Sequence, residues 1–218
     1  MRKLSILWTL AAVTILAVSA QADLAEFWGA NSQFDPSNRI HIDGLHFDAY
    51  NIDSGWFRDD GLHMAGNQDY QTGYCYCGEF HRYHGYLSFD LGGFAGNAKF
   101  AQFYVNNFDI GDQPGGLILY GTDLLPSDVD SQQNWNDVSK YRELNGGPWL
   151  GDIGLTPGDS NKQARVSLND AGIGWLNAHA GRGAVIGFEW RAAPEPGSLL
   201  LLGTGLIGGI GMFRRKLF

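Results

Sequence analysis

Two cysteines and two histidines stand close enough in the chain to bind a metal or to form a disulfide. Cys75 and Cys77 are one residue apart, and His81 and His84 follow them. Thiolates and imidazoles are good zinc and copper ligands, but this gap is narrower than the cysteine spacing of zinc fingers. In an oxidising compartment, which the chain ends indicate below, two thiols tend to pair. We therefore expect a disulfide between Cys75 and Cys77, closed by a tight turn, with free or intermolecular thiols and a metal site as alternatives.

Aromatic side chains indicate a second kind of site. Phe, Trp and Tyr make up 13% of the residues. An aromatic ring offers a flat apolar face on which a sugar can stack. Trp56 and Trp135 are the candidate glycan-stacking residues, although such rings more often fill the core or cover the bases of loops. The tryptophans that stand near Gly-, Asn- or Asp-rich loops are Trp28, Trp56, Trp135, Trp149 and Trp175.

Recognised catalytic motifs are absent from the sequence. It has no G-x-S-x-G, no H-E-x-x-H and no phosphate-binding loop. We therefore expect no catalytic residue and no enzymatic activity. His63 has no second ligand at a useful spacing, and we expect it to hydrogen-bond the backbone of its loop near Asn67 and Tyr70.

Acidic residues cluster in three loop regions, and calcium is bound by oxygens from such loops. No D-x-D-x-D-G loop with a distal Glu is present, however. We expect no metal and no cofactor, with bound calcium as the alternative. The clustered residues are Asp53, Asp59, Asp60, Asp69, Asp109, Asp112, Asp128 and Asp130.

The body of the chain has the pattern of an all-β protein. Short apolar runs are separated by Gly, Asn and Asp clusters, and no long amphipathic helix appears. We expect one antiparallel β-sandwich or jelly-roll domain at residues 23–190. Residues 99–106 are apolar or aromatic on both faces, which predicts a central strand. The other predicted strands are residues 40–50, 85–91, 117–120, 164–168 and 184–190.

One short helix interrupts this pattern. Asn169 or Asp170 is the predicted N-cap, Ile173 and Leu176 face inward, and Gly181 ends the helix. A second short helical turn is predicted within residues 128–141.

The first 22 residues are typical of a secretory signal peptide. Arg2 and Lys3 precede an apolar run at residues 4–18, and an Ala-Gln-Ala triplet then ends at Ala22. We expect cleavage after Ala22, with an uncleaved N-terminal anchor as the alternative.

A charge-free stretch near the C-terminus predicts a marginal membrane span. The sixteen residues 198–213 would form a helix about 24 Å long at about 1.5 Å per residue, against a hydrocarbon core of about 30 Å. The basic end formed by Arg214, Arg215 and Lys216 would stay on the cytoplasmic side. Together with the signal peptide, this span places the body outside the cytoplasmic membrane.

Net charge excludes one class of partner. The chain has a formal charge of −8, but five of its 15 basic residues and one of its 23 acidic residues lie in the two end segments. The body therefore carries ten basic and 22 acidic residues, a net charge of −12. Such an acidic body argues against binding to nucleic acid or to anionic lipid surfaces.

The last 25 residues resemble a sorting signal. Pro194, Glu195 and Pro196 precede a Leu- and Gly-rich apolar stretch and the basic end, in the order of the PEP-CTERM signal of Gram-negative bacteria. The resemblance implies that an exosortase recognises residues 194–218, which residues 191–193 link to the body. The three motif residues would be substrate positions, and the protein would be associated with exopolysaccharide and biofilm surfaces. A plain C-terminal anchor is the alternative.

The middle of the body resembles an exported domain that is common among PEP-CTERM proteins. The likeness implies a fold and export, and it carries no known activity. Asp69 stands where the pattern usually has Asn. The residues that carry the match are Gly61, His63, Asn67, Asp69, Tyr70, Gly73, Phe89, Asp90 and Leu91.

Taken together, these patterns predict an exported structural protein of the cell surface or extracellular matrix. An exosortase is the expected partner through the tail, and exopolysaccharide is the expected ligand of the body. A carbohydrate-binding module is the first alternative, and a hydrolase acting on matrix polysaccharide is the second.

Overall fold

The computed structural model describes residues 26–30, 38–43, 47–76 and 79–193, which fold mainly into antiparallel β-strands. The two α-helices within these ranges are α1 (Val138–Glu143) and α2 (Asp170–Ala178). Single 3-10 turns lie at Pro126–Asp128 and Pro157–Asp159. The prediction of an antiparallel all-β body with few helices is confirmed. The strands are β1 (Glu26–Ala30), β2 (Arg39–Ile42), β3 (Phe47–Arg58), β4 (Leu62–His63), β5 (Asp69–Tyr76), β6 (Phe80–Asp90), β7 (Ala101–Asn106), β8 (Asp109–Ile110), β9 (Gly115–Gly121), β10 (Trp135–Asn136), β11 (Trp149–Leu155), β12 (Gln163–Ser167) and β13 (Gly183–Ala192).

The large sheet bends at β3. Its strands follow the order β11-β9-β13-β6-β3-β2-β7-β12, while β5, β1 and β8 branch from β6, and β4 pairs with β10 separately. Residues 47–50 of β3 pair with β2, and residues 51–58 pair with β6. A register shift between Asn51 and Asp53 separates the two parts, and a bulge of this kind lets a strand bend. One strand therefore belongs to both halves of the sheet.

Sequence and structure differ over residues 40–50. They were predicted as one strand, but β2 ends at Ile42 and Asp43 lies in a turn before β3 begins at Phe47. Asp43-Gly44 is a turn dipeptide placed between two apolar runs. The strand predicted at 99–106 is central, because β7 lies between β2 and β12.

The core forms where the two halves of the sheet face each other. The ring of Phe103 on β7 lies 5.9 Å from the ring of Phe89 on β6 and 5.7 Å from the ring of Phe188 on β13. In the ladders of the described strands, β7 pairs with neither β6 nor β13. All three rings are fully buried. Replacing such a ring by alanine typically costs about 3–5 kcal/mol, so these contacts hold the halves together.

Helix α2 forms as its sequence predicts. Asn169 is the N-cap, and its side-chain oxygen accepts a hydrogen bond from the amide of Gly172 at 2.8 Å. Trp175 and Leu176 are buried, and the Trp175 indole donates to the carbonyl oxygen of Thr122 at 3.1 Å. Gly181 follows with a φ of 75°, which suits glycine. The helix thus packs against the loop that follows β9.

The predicted targeting segments lie outside the described residues. These are the signal peptide at 1–22, the motif at 194–196 and the span at 198–213. Within the described ranges, no helix combines the length and the apolar character that a membrane crossing needs. The predicted boundaries of the targeting segments therefore stay predictions.

Candidate functional site

The cysteine and histidine residues lie on the β5–β6 hairpin. Cys75 is opposite His81 in the register of the two strands. The thiol of Cys75 is buried and hydrogen-bonds with the carboxylate of Glu26, whereas His81 Nδ1 lies 2.9 Å from Asp59 Oδ1. Cys75 and His81 therefore contact two different carboxylates, although they are opposite each other in the hairpin. Cys77 lies outside the described residues, and its disulfide with Cys75 stays a prediction.

His84 lies further along β6 and contacts α1. Its Nδ1 lies 2.8 Å from the carbonyl oxygen of Tyr141, and its ring stacks on the Tyr141 ring at 3.9 Å and 4°. Because a carbonyl can only accept, Nδ1 carries the proton, and Nε2 faces the amide nitrogen of Asn145 at 3.4 Å. Burial lowers the pKa of His84 to about 4, although the hydrogen bond to Tyr141 opposes this shift. His84 is thus a neutral structural histidine at neutral pH.

His63 also hydrogen-bonds the backbone, as expected, but with other partners than Asn67 and Tyr70. It is fully buried, with Nδ1 2.7 Å from the carbonyl oxygen of Trp56 and Nε2 3.4 Å from that of Ser131. Burial lowers the pKa of His63, and the two backbone contacts partly oppose the shift. This side chain therefore joins β3 to the segment before β10.

A search of the described residues for metal ligands finds no cluster. No three His, Cys, Asp or Glu side chains within these ranges are arranged to hold a metal ion. Calcium binding stays an untested alternative.

The candidate stacking rings differ in how far they are exposed. Trp56 is only 7% exposed and packs edge-on against the rings of His63 and Tyr83. It therefore fills the interior, which is the alternative that the sequence left open. Trp135 is half-buried, with Lys140 Nζ 4.6 Å from its ring centre. Trp149, at 52% exposure, presents more of its ring to solvent than either. Glycan stacking at Trp56 and Trp135 stays a prediction.

A cleft of about 540 Å³ has Pro148, the residue before Trp149, in its lining, together with several charged side chains. Its walls are the loop after β9, the 3-10 turn at Pro126–Asp128 and the connection from α1 to β11. Glycine residues at 121, 146 and 147 are among its lining residues. The charged side chains that line it are Asp123, Asp128, Arg142 and Glu143.

The carboxylates of this cleft differ in their hydrogen bonds. Asp128 Oδ2 accepts a hydrogen bond from the amide of Leu125 at 2.8 Å, so it caps its own turn. Within the described residues, no hydrogen bond to the carboxylates of Asp123 or Glu143 is found. Pockets with a few charged groups suit ligands rich in hydroxyls, since charge-assisted hydrogen bonds are strong. The cleft is therefore one concave candidate site among the described residues.

A second polar assembly lies on the outer side of β6, β9 and β13. The side chain of Glu189 is 7% exposed and accepts hydrogen bonds from Arg82, from Tyr120 at 3.0 Å and from Arg191 at 3.4 Å. Burial alone would raise the pKa of Glu189, but the hydrogen bonds and the charges of both arginines outweigh it, and the pKa is lowered. We call these four side chains the Glu189 network. Its carboxylate is fully engaged, so the network ties three strands together.

Comparison with known proteins identifies one segment. The family model for the PEP-CTERM protein-sorting motif matches residues 192–216. The chain carries a PEP-CTERM sorting motif. No curated protein and no solved structure matches the chain. The motif shows that the protein is a substrate that an exosortase sorts to the cell surface, after export and membrane anchoring of the precursor.

The matched segment includes the sequence-predicted sorting residues. Pro194, Glu195 and Pro196 lie within the match, as do Arg214, Arg215 and Lys216. All six lie outside the described residues, so their roles rest on the motif and not on geometry.

Sequence reasoning missed two features of the body, the cleft and the Glu189 network. The cleft is built from segments between residues 121 and 148, and no local pattern reveals a concavity. The Glu189 network does leave a trace, because Glu189 is a single acid in the apolar run GAVIGFEW. A lone carboxylate in a buried strand needs partners, which the sequence could have flagged.

Proposed function

We propose that the mature body is a structural, non-catalytic protein of the cell surface or extracellular matrix that associates with exopolysaccharide. The observation that carries this proposal is the sorting motif that follows an acidic β-domain. On this proposal, cleavage near residues 194–196 removes the span at 198–213 from the mature protein. The ring contacts between β7 and the strands β6 and β13 support a β-sandwich architecture for the body.

Cell fractionation tests the sorting part of the proposal. The chain is expressed with an internal epitope in cells with and without an exosortase, and its size and location are compared. We expect a shortened form outside the membrane fraction when the enzyme is present, and the full-length membrane form when it is absent. A variant with Pro194 and Pro196 changed to Ala should behave like the strain that lacks the enzyme. Unchanged size and location in both strains would contradict the proposal.

A carbohydrate-binding module is the second candidate, and the cleft favours it. Asp123, Arg142 and Glu143 supply hydrogen-bonding groups, and the exposed ring of Trp149 follows the lining residue Pro148. Binding of the full-length chain to a glycan array would test it. Trp149→Ala and Glu143→Gln should weaken binding if the cleft holds the sugar, whereas Trp135→Ala should weaken it if the predicted ring does. Loss of polymer during the same incubation would favour the hydrolase alternative instead.

A further inference from the structure

The outer face of β3, β2, β7 and β12 carries an ordered row of side chains. Tyr50 is opposite Arg39, Arg39 is opposite Tyr104, and Tyr104 is opposite Arg165 in the strand registers. At about 4.8 Å between strands, this row is about 14 Å long. We call these four residues the arginine–tyrosine row. The inward partners along the same strands, such as Ile40, are buried, so the row faces outward.

The two arginines are held in place by stacking. The guanidinium carbon of Arg39 lies 4.3 Å from the centre of the Tyr104 ring, and that of Arg165 lies 5.9 Å from it. Arg39 Nε also lies 3.6 Å from Asp48 Oδ1. With the amide of Gln102 turned so that its oxygen faces Arg165, that oxygen accepts from Arg165 Nε and Nη2 at 3.1 Å each. The guanidinium groups are thus pre-organised, which lowers the cost of binding.

These contacts leave hydrogen-bond donors unused. A guanidinium carries more N–H groups than either arginine uses here, and Arg165 forms no ion pair within the described ranges. Tyr50 is 54% exposed and Arg165 is also exposed, so the described elements leave the row open to solvent. Asp48 offsets one of the two positive charges. The row is therefore a locally positive strip on a body of net charge −12.

We infer that the arginine–tyrosine row binds a carboxylate-bearing polysaccharide chain laid across the four strands. This inference rests on the proposed association with exopolysaccharide and names its chemical class. Guanidinium groups bind carboxylates through paired, charge-assisted hydrogen bonds. At a physiological Debye length of about 8 Å, the acidic residues elsewhere on the body are largely screened from such a ligand.

Two features favour an acidic glycan over nucleic acid. Both guanidinium groups are stacked on the ring of Tyr104, which limits base stacking on that ring. High affinity for nucleic acid also comes from neutralising many phosphates, and the row offers only two arginines.

Binding measurements on the full-length chain in detergent test the inference. The probes are a polyuronate oligosaccharide, a neutral dextran oligosaccharide of equal length, a single-stranded oligothymidine and phosphatidylglycerol vesicles. We expect preferential polyuronate binding that weakens as salt rises. Arg165→Gln should weaken it about tenfold, and the double change with Arg39→Gln should weaken it further. Arg182→Gln, which removes an exposed arginine elsewhere, should leave it unchanged.

The outcomes separate the two proposals. Binding of polyuronate that both arginine changes leave intact would overturn the row as the site, while the proposed association with polysaccharide would stand. Failure of the folded chain to bind any glycan would overturn both. Oligothymidine or vesicle binding that exceeds polyuronate binding and depends on Arg39 and Arg165 would replace the glycan by another partner. An unchanged circular dichroism melting curve controls for folding of each variant.

Discussion

The Glu189 network and the arginine–tyrosine row both combine two arginines with tyrosine and a carboxylate. They differ in how many arginine hydrogen-bond donors face a carboxylate. In the network, two arginines and a tyrosine converge on one carboxylate whose side chain is 7% exposed. In the row, two arginines flank one tyrosine ring, and among the described residues a single carboxylate, Asp48, contacts Arg39.

This difference separates a structural device from a binding surface. The buried carboxylate of Glu189 is satisfied by its donors, and so it stabilises the packing of three strands. The row keeps donors that no described residue uses, so its arginines are available to a ligand. Each of the following changes should affect the two regions unequally.

The largest expected effect is on the stability of the network. Glu189→Ala leaves the guanidinium of Arg82 without its carboxylate partner. Breaking a fully buried pair from one side costs about 3–5 kcal/mol, and we expect a loss at the lower end of that range because the Arg82 side chain is 30% exposed. Urea denaturation followed by fluorescence measures this loss. Glu189→Gln, which keeps an acceptor oxygen, should lose less. A loss below about 1 kcal/mol for Glu189→Ala would mean that the network does not hold the strands.

The second effect is a loss of stability at acid pH that arises from His84, which lies on β6 two residues after Arg82 of the network. Burial lowers the pKa of His84 to about 4 in the folded chain, against an ordinary value of 6.5 for a histidine. Between these values the unfolded chain binds a proton that the folded chain does not, so stability falls as pH falls from 6.5 to 4. The loss should approach about 3 kcal/mol and level off below pH 4 for this group.

Denaturation at several pH values checks this prediction. His84→Gln removes the titrating group, and its stability should depend less on pH over the same window. An equal slope in the variant and the original chain would place the acid sensitivity elsewhere.

A third, smaller effect tests how closely the end of α1 packs against β13. A Cβ at Gly187 would lie 1.9 Å from the carbonyl oxygen of Leu144, whereas a Cβ at Gly116 would meet no atom within 4 Å. Gly187→Ala should therefore cost about 1–3 kcal/mol, as overpacking does. Gly116→Ala is the matched control in a neighbouring strand and should be nearly neutral in a melting experiment. Equal melting temperatures would show that this contact is loose.

Much of the fold could be predicted because local pattern determines it. Short apolar runs between loop residues identified β7 and β13, and the capping residues at 169 and 170 identified the start of α2. The pairing of the strands could not be predicted, because it depends on contacts between distant residues. Arg82 and Glu189 are 107 positions apart, and His84 and Tyr141 are 57 apart.

The candidate sites were harder to predict than the strands. Trp56 sits near polar loop residues in sequence, yet its ring is buried because β3 carries it against Tyr83. The arginine–tyrosine row exists only when four strands align, and no stretch of sequence shows it. By contrast, the sorting tail is a linear signal, so its motif could be read directly from the residues.

The central claim is that polar contacts on the half of the sheet formed by β6, β9 and β13 stabilise the fold, while the arginine–tyrosine row on the other half binds a ligand. Its most direct test compares Arg82→Gln with Arg165→Gln, two identical changes, by measuring melting temperature and polyuronate affinity in parallel. We predict that Arg82→Gln melts at a lower temperature and binds normally. Arg165→Gln should melt normally and bind about tenfold more weakly. Equal losses of affinity in both variants, or equal losses of melting temperature, would contradict the account.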